Sequence, residues 1–343
     1  MVQEDNRSGG RPTLEAVAAR AGVGRGTVSR VINGSSQVSP KAREAVLRAI
    51  EDLDYVPNRA ARSLVTRRTD SIALVVSESE DRLFAEPFFA GVVRGVTAAI
   101  ADTSTQLWLT MVNSSTDRGR VGRHLTPQHV DGVLLLSIHG DDPLPRMLEA
   151  SGLPTVLGGR PTGFTPTSYV DVDNRAGARM AIDHLVERGR QHIATIAGPQ
   201  DMLAGVARLE GYREGLQVAG LKADDELVAY GNFSETVALD AMRDLLARRP
   251  DIDAVFTASD PMAFGALRAI KESGRRIPDD IAVVGFDGSP LARTTDPPLS
   301  TVHQPAEAMG REMAALLLAR IAGQPVAEPT VILAPDLIVR DSS

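Results

Sequence analysis

The polar side chains best suited to bind a partner lie close together near the start of the chain. Arg25, Thr27, Ser29 and Arg30 fall within six residues, and each can donate hydrogen bonds to phosphates or to base edges. Residues 1–68 contain 12 Lys and Arg against 7 Asp and Glu, whereas the other 275 residues contain 25 against 37. A basic segment on an acidic chain favours a polyanionic partner, such as a nucleic acid, for that segment alone.

Two short helices separated by a glycine turn are predicted to present these residues. Apolar residues recur at helical spacing over 14–21, and Thr13 can N-cap this helix. Glycines in 22–24 predict a tight turn before a second helix over 25–32, and Ser39 can cap a third helix. A helix, a short turn and a second helix are typical of a helix-turn-helix DNA-binding unit. The alternative is a small three-helix structural domain with a solvated outer face.

The sequence contains no pattern typical of an enzyme. It has no Walker loop, HExxH pair, G-x-S-x-G elbow or paired-carboxylate signature, and its six histidines are scattered. The absence of cysteine excludes disulfides and thiolate metal ligands. Glycines 22, 24 and 26 follow a helical segment rather than a strand, which argues against a dinucleotide-binding loop. We therefore expect no catalysis, no cofactor and no metal site.

The rest of the chain alternates short apolar runs with helical stretches. The apolar runs lie at 72–76, 107–112, 132–136, 155–157, 193–197, 254–257 and 281–286. The helical stretches lie at 88–101, 176–187, 209–219, 236–247 and 262–273. This alternation predicts parallel sheets covered by helices on both faces, in which a ligand binds beyond the carboxyl ends of the strands. We find no apolar run of ~18 residues and no apolar region in the first 12 residues, so we expect a cytoplasmic protein.

Residues 13–64, TLEAVAARAGVGRGTVSRVINGSSQVSPKAREAVLRAIEDLDYVPNRAARSL, resemble the head of the lactose-repressor (LacI/GalR) family of transcription regulators, and a looser resemblance continues to about residue 340. The resemblance implies an all-α helix-turn-helix headpiece and an α/β two-lobed periplasmic-binding-protein-like effector domain. The implied segments are a flexible arm (1–12), the headpiece (13–57), a hinge helix or linker (58–68), and the effector-binding and dimerisation domain (69–343). Within the last segment, lobe 1 is expected at about 70–188 and 301–328, and lobe 2 at about 189–300 and 329–343, with crossings near Gly189, Ser300 and Pro329.

The resemblance also implies how the headpiece contacts DNA. The second helix enters the major groove, and the hinge helix pairs with that of a dimer mate in the minor groove, where Leu64 wedges between base pairs. The DNA-binding residues implied by position are Thr13, Arg25, Gly26, Thr27, Ser29, Arg30, Asn33, Ser39, Asn58, Arg62 and Leu64. Two departures from the family are Gly24, in place of a usual capping serine, and Gly26, where a base-reading side chain is common. The second departure shifts base discrimination to Arg25.

A small effector is implied in the cleft between the lobes. The matching positions are Ser77, Asp173, Arg208, Phe233, Ser259 and Asp287. An arginine, carboxylates and an aromatic ring suit a polyhydroxylated ligand, most naturally a sugar. The structural alternatives are a turn carboxylate for Asp287 and a salt bridge from Arg208 to Glu210 or Asp201. Ser259 replaces a common asparagine, and the acidic loop 77–86 (SESEDRLFAE) is longer than the usual family link, which leaves an unusual ligand open.

The sequence therefore predicts a homodimeric repressor that binds a near-palindromic double-stranded operator under the control of a small effector. Two half-sites about 10 bp apart would match a two-fold dimer. The alternatives are a sugar-binding transport-type protein with the same body fold and a regulator that depends on a nucleobase-type corepressor. The identity of the effector, and whether it releases or strengthens DNA binding, stay open at this point.

Overall fold

The structure is a computed structural model that describes residues 12–32, 37–55 and 68–343. The chain divides into two compact units, Met1–Thr69 and Asp70–Ser343. Most of the predicted arm and almost all of the predicted hinge segment lie outside the described residues. The predicted DNA contacts that also lie outside them are Asn33, Asn58, Arg62 and Leu64.

The first unit contains the three helices that the sequence predicts. They are α1 (Leu14–Ala21), α2 (Arg25–Ile32) and α3 (Pro40–Asp52). The side chains of Thr13 and Ser39 accept hydrogen bonds from the backbone N–H groups of Ala16 and Ala42, and so cap α1 and α3. Gly22 ends α1 with φ +64°, a conformation that glycine adopts without steric cost. The inward faces of the helices form a small core of Val17, Ala18, Val28, Val31, Val46, Ala49 and Tyr55.

The second unit alternates strands and helices. The strands are β1 (Ser71–Val76), β2 (Gln106–Met111), β3 (Gly132–Leu136), β4 (Thr155–Gly158), β5 (Tyr169–Val172), β6 (Ile193–Ala197), β7 (Val228–Tyr230), β8 (Ala254–Thr257), β9 (Ala282–Asp287), β10 (Ser300–His303), β11 (Thr330–Leu333) and β12 (Asp336–Ile338). The helices are α4 (Glu80–Ala85), α5 (Pro87–Ile100), α6 (Ser115–His124), α7 (Leu144–Ala150), α8 (Asn174–Glu187), α9 (Leu203–Val218), α10 (Glu235–Arg248), α11 (Asp260–Glu272) and α12 (Ala306–Ile321). Short 3₁₀ turns lie at Asp225–Leu227 and Pro290–Arg293.

The strands form two six-stranded sheets. Their orders are β11-β5-β4-β3-β1-β2 and β12-β10-β9-β8-β6-β7. Every pairing is parallel except that of β12 with β10. The central strands are fully buried because helices cover both faces. Each of the seven predicted strands is found within one residue of its expected bounds.

The two sheets define two lobes, and the chain crosses between them three times. The crossings lie at Asp173, at 304–305 and at 334–335, so lobe 1 comprises 70–172 and 306–333, and lobe 2 comprises 174–303 and 336–343. The predicted crossings near Gly189, Ser300 and Pro329, and the lobe bounds based on them, are therefore wrong.

Packing explains each displaced crossing. α8 buries Ala178, Ile182 and Leu185 in the core of lobe 2, so it belongs to the second sheet rather than the first. β10 extends the second sheet by pairing with β9, and β11 extends the first sheet by pairing with β5. The crossings therefore follow β5, β10 and β11 directly.

Five helices differ from the prediction, and three of them, α6, α7 and α12, have no counterpart among the predicted helical stretches. The predicted loop 77–86 contains α4, because Ser79 caps it by accepting a hydrogen bond from the N–H of Arg82, and acidic residues occupy its first turn. α9 begins at residue 203, six residues before the predicted start.

Lobe 1 depends on a close helix pair, α5 and α12. A Cβ on Gly95 would overlap the carbonyl oxygen of Glu307, and a Cβ on Gly310 would overlap that of Val92. Glycine at both positions lets the two backbones touch. Among the described helices, none is both long enough and apolar enough to span a bilayer.

Candidate functional site

The outer face of α2 is polar and carries two arginines. Val28 and Val31 are buried beneath it, whereas Arg25, Gly26 and Arg30 are exposed and Thr27 and Ser29 are half-buried. Five of the predicted DNA contacts therefore share one surface. Arg25 forms a 3.0 Å ion pair with Glu15, and both side chains are exposed. Such pairs contribute only ~0–1 kcal/mol, so Arg25 can exchange this carboxylate for a phosphate or a base edge.

The structure gives Thr13 and Ser39 a second role as helix caps. Each side-chain oxygen accepts a backbone N–H, yet both residues are exposed at the amino ends of α1 and α3. Arg20 ties α1 to the end of α3 through a 2.6 Å contact with Asp52. The helix ends that frame α2 are therefore fixed by local hydrogen bonds.

A cavity lies between the two lobes, at the carboxyl ends of the strands of both sheets. Four of the six predicted effector residues line it: Arg208, Phe233, Ser259 and Asp287. Ser77 and Asp173 are not among the lining residues. Asp173 caps α8 by accepting the N–H of Ala176 at 3.0 Å, and Ser77 is buried, with its backbone N–H donating to the carbonyl of Leu136.

Arg208 is buried in α9 and is held by hydrogen bonds at two of its nitrogens. Its Nε donates to Oδ1 of Asn174 at 2.8 Å, and its Nη1 donates to the carbonyl of Ala258 at 2.6 Å. Its guanidinium carbon lies 3.7 Å from the ring centroid of Phe286. Burial lowers the pKa of Arg208 to about 10, so it remains charged at neutral pH. Its carboxylate partner is Asp287 at 3.7 Å, and the salt bridge to Glu210 or Asp201, which the sequence left open as the structural alternative, does not form.

Asp287 ends β9 in a strained backbone conformation, with φ +121°. It accepts hydrogen bonds from Nε2 of Gln304 at 2.7 Å and from the N–H of Asp260 at 3.2 Å. Burial raises the pKa of Asp287 to about 6, although Arg208 acts in the opposite direction. Behind it, Asp260 accepts from Thr301 and from the N–H of Ser289. Burial, followed by repulsion from Asp287, raises the pKa of Asp260 well above its usual range.

Phe233 supplies an aromatic wall. It is buried, and the guanidinium carbons of Arg82 and Arg208 lie 4.9 and 5.6 Å from its ring centroid. Ser259 is buried and caps α11, because its hydroxyl accepts the N–H of Met262. This hydroxyl therefore serves as a helix cap, at a position where Ser259 also lines the cavity.

Sequence reasoning missed the contribution of α4 to the cavity. Arg82 and Glu86 line it, and Arg82 forms ion pairs with Glu86 and Glu78 at 2.5 Å each. Burial raises the pKa of Glu86 to about 7. Burial alone would lower the pKa of Arg82, but the two carboxylates raise it. The acidic composition of residues 77–86 was the signal in the sequence that could have indicated this contribution to the cavity.

A second missed pair lies at the ends of β4 and β5. Nε of Arg160 donates to Oδ2 of Asp171 at 2.8 Å, and both residues line the cavity. Each of the three lining arginines therefore has a carboxylate partner within the lining. A cavity with balanced charges and many hydrogen-bonding groups suits a neutral, polar ligand better than an anion. Among the described residues, no cluster of His, Asp and Glu has the arrangement of a metal site.

Two family models match the chain. Residues 13–58 match the model described as "Bacterial regulatory proteins, lacI family", and residues 182–343 match the "Periplasmic binding protein-like domain". The first match covers the three-helix unit, and the second covers most of lobe 2 together with the last segments of lobe 1.

Known proteins are similar over nearly the whole chain. The HTH-type transcriptional regulator CelR of Thermobifida fusca is 58% identical over 334 residues, which is 97% of this chain and 98% of that protein. A solved structure of a transcriptional regulator CelR–cellobiose complex is 56% identical, with a TM-score of 0.78, and the match covers 97% of this chain and 100% of that one. The lac repressor dimer bound to operator and the anti-inducer ONPF is 28% identical with a TM-score of 0.85, over 97% of this chain and 99% of that one.

Proposed function

The chain belongs to the LacI family of bacterial regulatory proteins and is a transcriptional regulator, and from this premise we propose that it is a homodimeric repressor whose binding to DNA is weakened or strengthened by cellobiose or a closely related neutral disaccharide. The observation that carries the choice of effector is the interlobe cavity, which combines an aromatic wall with charge-balanced arginine–carboxylate pairs. The similar structure that contains cellobiose supports this choice.

The DNA-binding surface is the outer face of α2. Arg25 and Arg30 are exposed there with Gly26, and Thr27 and Ser29 flank them, so this face can place donors against base edges and phosphates in a major groove. Two copies related by a two-fold axis would place two such helices on half-sites about 10 bp apart. We assign the minor-groove contacts to Asn58, Arg62 and Leu64 by resemblance alone. A repressor of this kind acts on chromosomal DNA, so we place the protein in the cytoplasm.

The effector-binding residues that we propose come from both lobes. Arg208, Phe233 and Asp287 belong to lobe 2, and Arg82 and Glu86 belong to lobe 1. Carboxylate oxygens accept hydrogen bonds from sugar hydroxyls, guanidinium groups donate to ring and hydroxyl oxygens, and Phe233 covers the apolar C–H face of a pyranose. A ligand that touches both lobes stabilises their closed arrangement, because it loses its contacts with one lobe when the two lobes separate.

Effector binding and operator binding are then linked by a coupling free energy, typically of ~1–3 kcal/mol. The coupling is reciprocal, so operator DNA must change the affinity for the sugar by the same factor as the sugar changes the affinity for DNA. This relation holds whether the sugar acts as an inducer or as a corepressor.

Calorimetric titration tests the effector. Cellobiose is titrated into the full chain and compared with lactose, ribose, glucose 6-phosphate and hypoxanthine. We expect cellobiose to bind most tightly and glucose 6-phosphate to bind poorly, because every lining arginine already has a carboxylate partner. Preferred binding of hypoxanthine would instead support the nucleobase-dependent alternative, and preferred binding of the phosphate would refute a neutral ligand.

Fluorescence anisotropy tests the DNA-binding role. An operator selected from a random duplex library is titrated at several salt concentrations, with and without cellobiose. We expect the logarithm of the association constant to fall linearly with the logarithm of the salt concentration, and cellobiose to shift it by about 5- to 150-fold. Absence of any selected duplex would favour the transport-type alternative.

A further inference from the structure

Four polar side chains form a continuous relay from the rim of the cleft to the wall of the cavity. Oδ2 of Asp201 lies 2.9 Å from Nδ1 of His139, and Nε2 of His139 lies 3.0 Å from Oε1 of Glu78. The same oxygen of Glu78 accepts a hydrogen bond from Nη1 of Arg82. Arg82 ends the relay over the ring of Phe233. We call Asp201, His139, Glu78 and Arg82 the interlobe relay.

The relay joins the two lobes at both of its ends. Glu78, His139 and Arg82 belong to lobe 1, whereas Asp201 and Phe233 belong to lobe 2. One backbone hydrogen bond, from the N–H of Gly140 to the carbonyl of Asp201 at 2.8 Å, runs beside the His139 contact. Separation of the lobes must therefore break the His139–Asp201 contact and remove Arg82 from the aromatic ring.

Glu78 is the central member. Its side chain is only 8% exposed, and one of its oxygens, Oε1, is shared between an imidazole and a guanidinium. A buried carboxylate needs such partners to stay charged. Because Glu78 holds His139 and Arg82 at once, the position of the rim contact and the position of the cavity wall depend on the same side chain.

The charges that face His139 are predominantly negative. Glu78 and Asp201 contact its two nitrogens directly, and Arg82 is separated from it by Glu78. Further along the chain, Asp141 is exposed and Asp142 is engaged by Arg118 at 2.9 Å. The hydrogen bond to Glu78, and then that to Asp201, raise the pKa of His139. A cationic imidazole donates from both nitrogens and therefore satisfies both carboxylates.

We propose that Glu78 and His139 are positioning residues of the effector site, which lock the two lobes together through Asp201 and hold Arg82 against Phe233. The proposal rests on the proposed function only in that the sugar binds to the closed cavity. None of the residues predicted from the sequence belongs to the relay, and its two positioning residues do not line the cavity.

The stabilisation of the closed lobes by the His139–Asp201 contact depends on pH. His139 keeps Glu78 within lobe 1 and gains Asp201 only when the lobes close, so closure favours the protonated form. The contribution to closure is fully present below the pKa of the open state and is lost as the pH rises through the higher pKa of the closed state. The contribution of His139 to sugar affinity must therefore weaken as the pH increases across this interval.

The first experiment compares two histidine substitutions by calorimetry with cellobiose at pH 6, 7 and 8.5. His139→Gln removes the charge from the relay. His192→Gln is the matched control, because His192 forms a 3.6 Å contact with Asp251 on the surface of lobe 2, outside the cavity. We expect His139→Gln to bind about tenfold more weakly than the control at pH 6, which corresponds to one lost charge-assisted hydrogen bond, and the difference to shrink at pH 8.5.

The comparison with the control removes the effect of Glu86, which titrates in both variants. Equal affinities of the two variants at every pH would overturn the relay while leaving cellobiose as the effector. Asp201→Asn keeps a hydrogen-bonding side chain but loses the charge, so it should reproduce most of the His139→Gln effect. Wild-type-like binding of Asp201→Asn at pH 6 would likewise overturn the proposal.

A second experiment needs no sugar. The chain has no native cysteine, so Asp102→Cys in lobe 1 and Lys222→Cys in lobe 2, both exposed, attach a pair of spin labels cleanly. Double electron–electron resonance then reports the distance between the lobes. We expect a larger closed population at pH 6 than at pH 8.5, and the loss of this difference in His139→Gln. An unchanged distribution refutes the relay, whereas failure of cellobiose to bind the wild type refutes only the proposed effector.

Discussion

The sharpest test of the effector site is Arg208→Met, which replaces a buried cation by an apolar side chain of similar length. Arg208 gives hydrogen bonds to Asn174 and to the carbonyl of Ala258, and its Nη1 lies 3.7 Å from Asp287. If its guanidinium donates one charge-assisted hydrogen bond to the sugar, the loss is ~1.5–3 kcal/mol. This range corresponds to about 10- to 150-fold weaker binding.

A second effect acts in the same direction. Burial raises the pKa of Asp287 and Arg208 lowers it, and the result of both effects is a pKa of about 6. Without the guanidinium that pKa rises further, so Asp287 becomes protonated near neutral pH and presents a donor where the sugar needs an acceptor. We therefore expect the loss to approach the upper end of the range at pH 7.

The assays are calorimetry with cellobiose and anisotropy with operator. Arg213→Met is the matched control, because Arg213 lies on the same helix but is exposed and pairs outward with Asp225 at 3.1 Å. Arg208→Met should bind operator without sugar within about twofold of the wild type, and it should lose the response to cellobiose. If Arg208→Met and Arg213→Met bind cellobiose equally, the assignment of Arg208 to the site is refuted. Arg208→Lys, which keeps the charge but not the planar fork, provides a milder variant in case Arg208→Met unfolds.

Three further predictions concern the headpiece and the cavity. Gly26→Ala should stabilise the headpiece by about 1 kcal/mol in thermal unfolding followed by circular dichroism, because no atom lies within 4 Å of the added Cβ; destabilisation would mean that α2 is distorted there. Arg30→Ala should weaken operator binding, reduce by about 1 the slope of the logarithm of the association constant against the logarithm of the salt concentration, and leave cellobiose binding unchanged. Arg48→Ala, at an exposed position on α3, is the control; equal losses of operator binding in both variants would contradict the special role of α2. Because the pKa of Glu86 is raised to about 7, the free energy of unfolding should decrease as the pH rises from about 4.5 to 7. Urea titrations of Glu86→Gln should show a smaller decrease than those of the wild type; parallel curves would contradict the burial of this carboxyl.

The headpiece could be predicted almost completely because local signals determine it. Thr13 and Ser39 are good helix caps, glycine ends α1, and the apolar residues of each helix follow the helical period. None of these signals depends on residues distant in the sequence. The predicted bounds of α1 and α2, and the predicted start of α3, therefore match the structure.

Seven strands were also predictable, among them the edge strand β2, whereas β5, β7, β10, β11 and β12 were missed. Central strands such as β1 and β3 are buried on both faces and read as continuous apolar runs. β7 and β12 have only three residues, and β11 alternates exposed and half-buried positions. Such segments become strands because a neighbouring strand provides hydrogen bonds, and a single sequence does not reveal that neighbour.

The lobe crossings were missed for a related reason. The predicted crossings required a decision on which sheet α8 covers, and that depends on the burial of residues such as Ile182 against strands distant in the sequence. The helical period of α8 shows that one face is apolar but does not reveal the sheet it faces. Long-range packing decides the lobe, and the correct bounds shift from residue 188 to 172.

The candidate site was predicted in part, and the missed residues share a physical cause. Arg208, Phe233 and Asp287 were found because the family resemblance supplies their positions. Arg82 and Glu86 lie in a segment that departs from the family and was predicted as a long acidic loop, so the resemblance supplied no site position within it. α4 forms because Ser79 caps it and Arg82 pairs with carboxylates one helical turn away on both sides. Side chains that look like surface charges in the sequence are thus buried in pairs.

The pairing of the cavity charges also explains why a neutral sugar can control the lobes. Arg82 and Glu86 both belong to lobe 1, as do Arg160 and Asp171, and Arg208 and Asp287 both belong to lobe 2. Opening the cleft therefore separates none of these three pairs, so it leaves no buried charge without its partner. The open and closed arrangements can then lie close in free energy, which is the condition under which a ligand of moderate affinity shifts the population. The charged contact of the interlobe relay that does cross the cleft, His139 with Asp201, lies at the exposed rim, so it biases closure without fixing it.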